Sequence, residues 1–280
     1  MSNALATLSN NQIQMSEVDR LLLEEAQQET DAFDFVPPRL KIAPGGTNVF
    51  QTDDGDVLKS FTGIILISQK ARAYWPSKGS GQAPLCSSYD GKRGVLSLNP
   101  SAEQVTDAMK ARRPHPGVEL LIHQDAPMPD FFDCRTCSLS QWGSNHQGGN
   151  PKGQACKALR RLVVKLDDWD IPALLTLPPT SIEAYDTHAT SMVRYGKHYF
   201  TVRAKVSLES AKSATGDPYS IASFQIAGDL TDSEKAAVLE VRRQYKSLIE
   251  TLPVDAAEYD TVPATSEVLP PVGADDTVPF

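Results

Sequence analysis

The chain has no apolar run near the roughly eighteen residues that a membrane-spanning helix requires, so no helical anchor is expected. Its opening residues, Met1-Ser-Asn-Ala-Leu-Ala-Thr-Leu-Ser9, lack the basic segment and long apolar stretch of a secretory leader, which makes a reducing cytoplasm the default. Also missing are a phosphate-cradling Walker loop, a dinucleotide glycine fingerprint, a Gly-x-Ser-x-Gly elbow and a Cys-His pairing. These absences leave catalysis with little support. The only dense acid group is Asp167, Asp168 and Asp170, which reads as a solvated turn before it reads as the Mg2+ site of a nuclease. No enzymatic activity is therefore expected, with a metal-dependent nucleic-acid enzyme as the alternative.

Bases are scarce in a patterned way. The net charge is −8, yet residues 1–36 hold seven acids and one base, and residues 253–280 hold six acids and no base. The centre, residues 37–252, keeps 26 bases against 22 acids and is net positive. Acidity thus belongs to the ends, and a polyanionic partner for the centre is not excluded. A flexible acidic segment is expected over 1–32, a folded domain over 33–251, and a tail over 252–280 too poor in packable apolar surface to order itself.

Cysteine is equally scarce. Of four, Cys134, Cys137 and Cys156 fall in one stretch, and Cys86 lies upstream in a run with similar punctuation, Pro84-Leu-Cys-Ser-Ser-Tyr-Asp-Gly-Lys-Arg-Gly94. A Cys-x-x-Cys turn presents two soft ligands from one short loop, and four thiolates close a tetrahedral Zn2+ sphere without a vacancy for catalysis. A structural zinc knuckle inserted over about 84–157 is expected, and the polar span after Cys86, through Met128, reads as an excursion from the sheet without a core of its own. His123 or His146 replacing a thiolate, buried apolar thiols, a disulfide and a redox pair are the alternatives.

Along the chain, extended backbone is expected from Phe33 to Ala43, where prolines set the conformation and Arg39 and Lys41 share a face. A long β-run follows over Val57–Trp75, with a bend at Gly63, then a helix from Ser101 to Lys110. Strands are expected over 160–166 and 173–177. The helix over 180–196 has Ser181 as cap and Ile182, Tyr185, Ala189, Met192 and Val193 on its apolar face. Strands over 198–207 and 219–227 and a helix over 231–251 complete the order. Three strands, a helix and two strands is the order of a mainly β, five-stranded Greek-key barrel of the oligonucleotide-binding (OB) type, although a generic antiparallel α+β domain gives a similar string.

Single strands are held by a cationic groove along the phosphates and by rings on which bases stack. Three clusters suit that task, together with Arg39, Lys41 and Trp142. They are Lys70, Arg72, Tyr74 and Trp75 at one strand end; Arg160, Arg161 and Lys165 on another strand; and Arg194, Lys197, Tyr199, Arg203 and Lys205 at the helix exit and the fourth strand. Each base alone reads as solvated surface and each ring alone as core; their interleaving is what suggests a binding face.

The last residues, Asp275-Asp-Thr-Val-Pro-Phe280, resemble the acidic tip of bacterial single-stranded-DNA-binding proteins, with Thr277 where a third acid is commoner. Residues 33–228 resemble the zinc-containing single-stranded-DNA-binding proteins of phages and mobile elements. The likeness runs through Phe35-Val-Pro-Pro-Arg-Leu-Lys-Ile42, Cys134-Arg-Thr-Cys137, Trp142-Gly-Ser, Gly153-Gln-Ala-Cys156 and Thr180-Ser. The resemblance implies sequence-tolerant binding of single-stranded DNA in a bacterial cytoplasm. It also implies recruitment of replication, recombination or repair proteins through Asp275, Asp276, Val278, Pro279 and Phe280. Tetramer formation is not carried over, since the cysteine-bearing insertion departs from the compact bacterial protein; a homo-oligomer stays open, as does a zinc-knuckle adaptor that binds only proteins.

Overall fold

A computed structural model describes residues 36–77, 82–111, 113–123, 127–145, 151–213, 216–255 and 258. The chain is mainly β with four helices among the described residues, arranged on one open, mixed sheet. Strand β4 (Ser60–Tyr74) is its spine. Along one edge it pairs antiparallel with β8 (Lys157–Leu166) from Gly63 to Ala73; β8 pairs with β9 (Ala173–Leu177), and β9 is joined in parallel by β1 (Arg39–Ile42). Beyond β1 come β2 (Phe50–Thr52) and β3 (Val57–Leu58). The other edge of β4 is shared. Its first residues, Ser60–Gly63, pair with β10 (Val202–Lys212), which pairs with β11 (Pro218–Asp229). Its last, Arg72–Tyr74, pair with β5 (Cys86–Ser88), followed by β6 (Arg93–Leu96) and β7 (Phe132–Asp133).

The expected closed five-stranded barrel is not what forms. Among the described residues no ladder joins β11 to β9; the free edge of β9 is taken by β1, whose Arg39 and Leu40 register with Leu174 and Leu175. The β1–β2 turn touches the β10–β11 hairpin through Asn48, whose backbone amide donates to Ser220 Oγ at 3.1 Å and whose side-chain amide donates to Ser210 Oγ.

Gly63 is required where β4 meets β8 and β10 together. A Cβ there would lie 2.4 Å from the Lys165 carbonyl oxygen, so any side chain would push β8 away. A bulge between Ile65 and Ile67 then turns successive residues to different layers. Ile65 joins Phe50, Phe61, Leu162, Val164 and Tyr185 on one side of the sheet. Ile64, Leu66 and Ile67 join Val163 and Leu174 on the other.

Helix α3 (Pro179–Arg194) covers the first layer. Pro179 stands at its first turn, where the missing N–H costs nothing. Ser181 is not the cap expected of it: it is buried, and its Oγ accepts the Ala222 amide at 3.0 Å, fastening α3 to β11. Val193 is exposed rather than packed. The second layer is covered by α4 (Asp232–Thr251), started by a Thr231–Glu234 capping box and buried through Val238, Val241, Tyr245 and Ile249. Each such aliphatic side chain taken fully out of water contributes about 1.5–3 kcal/mol.

The described residues of 84–157 form a third packed unit, against what was expected of the span through Met128. Around Tyr74, Leu85, Cys86, Leu96, Leu139 and Cys156 they gather α1 (Ala102–Lys110) and α2 (Val118–His123) through Ala108 and Val118. The insertion therefore carries its own apolar centre, built around the cysteines.

Candidate nucleic-acid interface and cysteine cluster

The four cysteines meet. Cys86 on β5, Cys134 just after β7, Cys137 one turn later and Cys156 at the entry to β8 line one small cavity of about 10 Å³, and none forms a disulfide. That is the space of about one water or one ion. The backbone shapes it closely. The Cys134 amide donates to the Lys92 carbonyl at 2.8 Å and the Cys156 amide to Leu139 at 2.9 Å, while the Cys137 and Ser140 amides close successive turns. A Cβ on Gly94 would stand 3.0 Å from Cys86 Sγ and 3.3 Å from Cys134 Sγ, so only glycine leaves the sulfurs room. Burial pushes the Cys86 thiol far up and that of Cys156 to about 12, and the neighbouring thiols add to both shifts. Arg72 opposes this through its hydrogen bond to Cys156 and its charge beside Cys134.

His115, unnoticed in the sequence, lines the same cavity. Its Nδ1 accepts the Gly117 amide at 3.0 Å, which leaves the proton on Nε2. Burial lowers its pKa to about 4, so the ring is neutral. Among the described residues no three His, Cys, Asp or Glu side chains form a ready-made metal-binding group. Of the alternative ligands, His146 and the His123 side chain lie outside the described residues.

The cysteine unit supports one wall of a groove. Between the stretches that pair with β10 and β5, the edge of β4 over residues 64–71 meets no strand among the described residues. Into this gap opens a cleft of about 1070 Å³, floored by Ile67–Lys70 and walled by the β5–β6 hairpin, Phe131 and α4. Its cations are Lys70, Lys92, Arg93, Arg242, Arg243 and Lys246, against Asp90, Asp130 and Glu250; its rings are Tyr89, Phe131 and Tyr199. Phe131 is half exposed. Asp90 sets the hairpin tip, accepting the Lys92 and Arg93 amides at 2.8 Å each and Ser88 Oγ at 3.1 Å. Burial alone would raise its pKa, but these bonds and Arg93 hold it well below the usual carboxylate range. Arg242 lies 3.9 Å from the centre of the Phe200 ring and donates to the Leu66 carbonyl, so it is fixed. Lys70, Lys92 and Lys246 have no ion pair among the described residues.

Of the expected contact residues, the groove contains Lys70 and Tyr199. The others are placed elsewhere. Tyr74 is core of the cysteine unit, and Arg72 reaches the thiols. Trp75 is packed on Ala71, Ala73 and Leu159 and donates its indole N–H to the Gln82 carbonyl. Arg161 is fully buried on Glu258, and Lys165 is spent on the Leu166 and Trp169 carbonyls. Arg160 binds Asp186 at 2.7 Å over the Tyr185 ring. Arg203 is held between Asp167 and Glu234, which also fixes one acid of the 167–170 turn. Lys197 pairs with Asp229, Arg39 with Asp255, and Lys41 stands 3.6 Å from Asp53. Lys205 is exposed on β10, away from the groove lining. Trp142, 76 % exposed, and Arg194 line a separate cleft of about 980 Å³ beside α3. Asp275, Asp276, Val278, Pro279 and Phe280 lie outside the described residues.

Sequence reading missed Tyr89, Lys92, Arg93, Phe131, Arg242, Arg243 and Lys246. A signal existed for three of them: Arg242-Arg243-x-x-Lys246 is the i, i+1, i+4 spacing that puts bases on one side of a helix. No helix among the described residues is long and apolar enough to cross a membrane. No family model, no curated protein and no solved structure matches this chain.

Proposed function

We propose that this chain binds single-stranded DNA without turning it over, in the groove along the open edge of β4. One observation carries the reading: six cations and three aromatic residues surround a gap in the sheet whose floor is extended backbone. Cations meet phosphates and rings stack on unpaired bases, at about 1–3 kcal/mol per base; a duplex keeps its bases stacked inside and offers the rings nothing.

The strand pairings support an opened barrel of the OB type. β4 with β8, β8 with β9, β4 with β10 and β10 with β11 are the pairings of such a Greek key, with α3 between its third and fourth strands. In this reading β1 stands where the fifth strand would close.

The cysteine cavity takes one Zn2+ with a structural role. The fit rests on the donors: four soft sulfurs around a single-ion space, no carboxylate in the lining, and Arg72 to offset the charge of the thiolates. Zinc would be held by Cys86, Cys134, Cys137 and Cys156, and it supplies cross-linking rather than chemistry.

A fluorescence titration should show a labelled oligothymidylate bound at least tenfold more tightly than duplex of equal length, with log Kd linear in log salt. Equal affinity for duplex removes the reading. The tail is proposed to recruit replication, recombination or repair proteins of the bacterial cytoplasm. Deleting residues 273–280 should leave oligonucleotide affinity unchanged or slightly raised at low salt and abolish capture of such partners; loss of DNA binding with partner capture intact would place the tip in the DNA site instead.

A further inference from the structure

After α4 the chain turns back over the sheet. Leu252–Asp255 and Glu258 lie across the outer face of β8 and β9, with Val254 seated on Ala71, Ala73, Trp75 and Leu159. The polar contacts beneath are those of a built anion seat. Glu258 receives Arg161 Nε and Nη2, each at 2.9 Å, and Thr176 Oγ1 at 2.8 Å. Arg161 is 0 % exposed, and its remaining N–H groups reach the Leu252 and Pro253 carbonyls and Gln69. Three residues earlier, Asp255 takes Arg39 Nη2 at 2.8 Å. Register places Arg39 beside Leu174 and Arg161 beside Thr176, so both arginines stand on this outer face.

A planar guanidinium fork with an adjacent hydroxyl receives a phosphodiester as readily as a carboxylate. A buried ion pair is also a poor choice if stability alone is served, because apolar residues of the same volume hold as well or better. The seat is continuous with the groove: Gln69 lines the groove floor and accepts from Arg161. A strand leaving the groove across β4 arrives at it.

We propose that the outer face of β8 and β9 is a second phosphate seat, filled in the unbound protein by the chain's own carboxylates at Asp255 and Glu258. Phosphodiesters of a bound strand displace them as the strand runs on from the groove. This rests on the proposed binding of single-stranded DNA in that groove. Val254 and, at the start of the segment, Leu252 are its apolar anchors among the described residues, few enough to keep it displaceable.

Hydrogen exchange on the full chain tests it, because the Asp255 and Glu258 amides are both bonded within the segment. With saturating long oligothymidylate, exchange at residues 252–258 should quicken by about tenfold or more while residues 89–93 slow. Unchanged or slower exchange at 252–258, with 89–93 protected, overturns the second seat alone; absence of any protection or affinity removes the groove reading as well. The double variant Arg161→Met with Glu258→Leu removes the buried pair together and keeps the segment seated. It should bind with a salt slope shallower by about 0.7, the share of one single-strand phosphate. A slope equal to that of the native chain overturns the proposal.

Discussion

Replacing Lys70, Lys92 and Lys246 together by Glu should weaken oligothymidylate binding by about 10² to 10³-fold at roughly 50 mM salt, with the fold intact. These three side chains come from the floor, the hairpin wall and the helical wall of the groove, and none has an ion pair to lose among the described residues. Removing three phosphate contacts takes away the release of about 0.7 counterion each, near an eightfold factor apiece at that salt. Reversing the sign adds repulsion that the factor does not include. The log–log salt slope should fall by about two units, and melting should move little, since exposed lysines contribute little to stability. Native-like affinity in this variant would show that the strand does not run through the groove. The control is Lys205→Glu, on an exposed part of β10 outside the groove lining, which should leave binding close to unchanged.

Stripping the cysteine cluster should be nearly as damaging, though no cysteine lines the groove. Purified protein should carry about one zinc per chain; a strong chelator, or Cys137→Ser, should remove it and lower oligothymidylate affinity by about 30-fold or more. The link is geometric. Cys86 and Cys134 bracket the β5–β6 hairpin, and the Cys134 amide holds the Lys92 carbonyl. Tyr89, Lys92, Arg93 and Phe131 depend on that bracket for their place in the wall, and two stacking rings are worth about 2–6 kcal/mol. Acid should strip the metal too. Burial already holds Cys86 and Cys156 strongly protonated without metal, so zinc must displace protons and is lost as pH falls. Protein purified without chelator yet free of metal by elemental analysis would dismiss the cluster as a zinc site.

What was legible in the sequence follows from how local each signal is. The long strand ending at Trp75, the capped helix after Ser101, the helix before Gly196 and the hairpin around Gly216 all carry their cause within a few residues. That the four cysteines belong together was legible from their grouping along the chain, and the fold brings them to one cavity. Charge was misread wherever burial is decided from afar. Arg161 and Lys165 sit on β8, a strand covered on both faces, so in the unbound protein each base is buried on a partner of its own chain rather than exposed. Nothing within ten residues of Arg161 announces its partner, Glu258, 97 positions away. The groove was missed for the same reason: its walls come from a hairpin tip and a helix about 150 residues apart, joined only by their packing on β4. The order of the long strands and helices was legible as a string, but the string does not say that the sheet stays open or that an earlier strand, β1, takes the free edge of β9.

That earlier strand imposes a timetable on synthesis. Arg39 has its ladder partner at Leu174, 135 positions later, and Phe50, which meets Phe61 early, lacks Leu162, Val164 and Leu175 of its cluster until β8 and β9 exist. At about 5–20 residues per second, roughly 7 to 27 seconds pass at the ribosome between the two strands. Throughout that interval the edge of β1 turned away from β2 stands unpaired in the nascent chain, and the sheet receives its first strand only after β8 and β9 have been made.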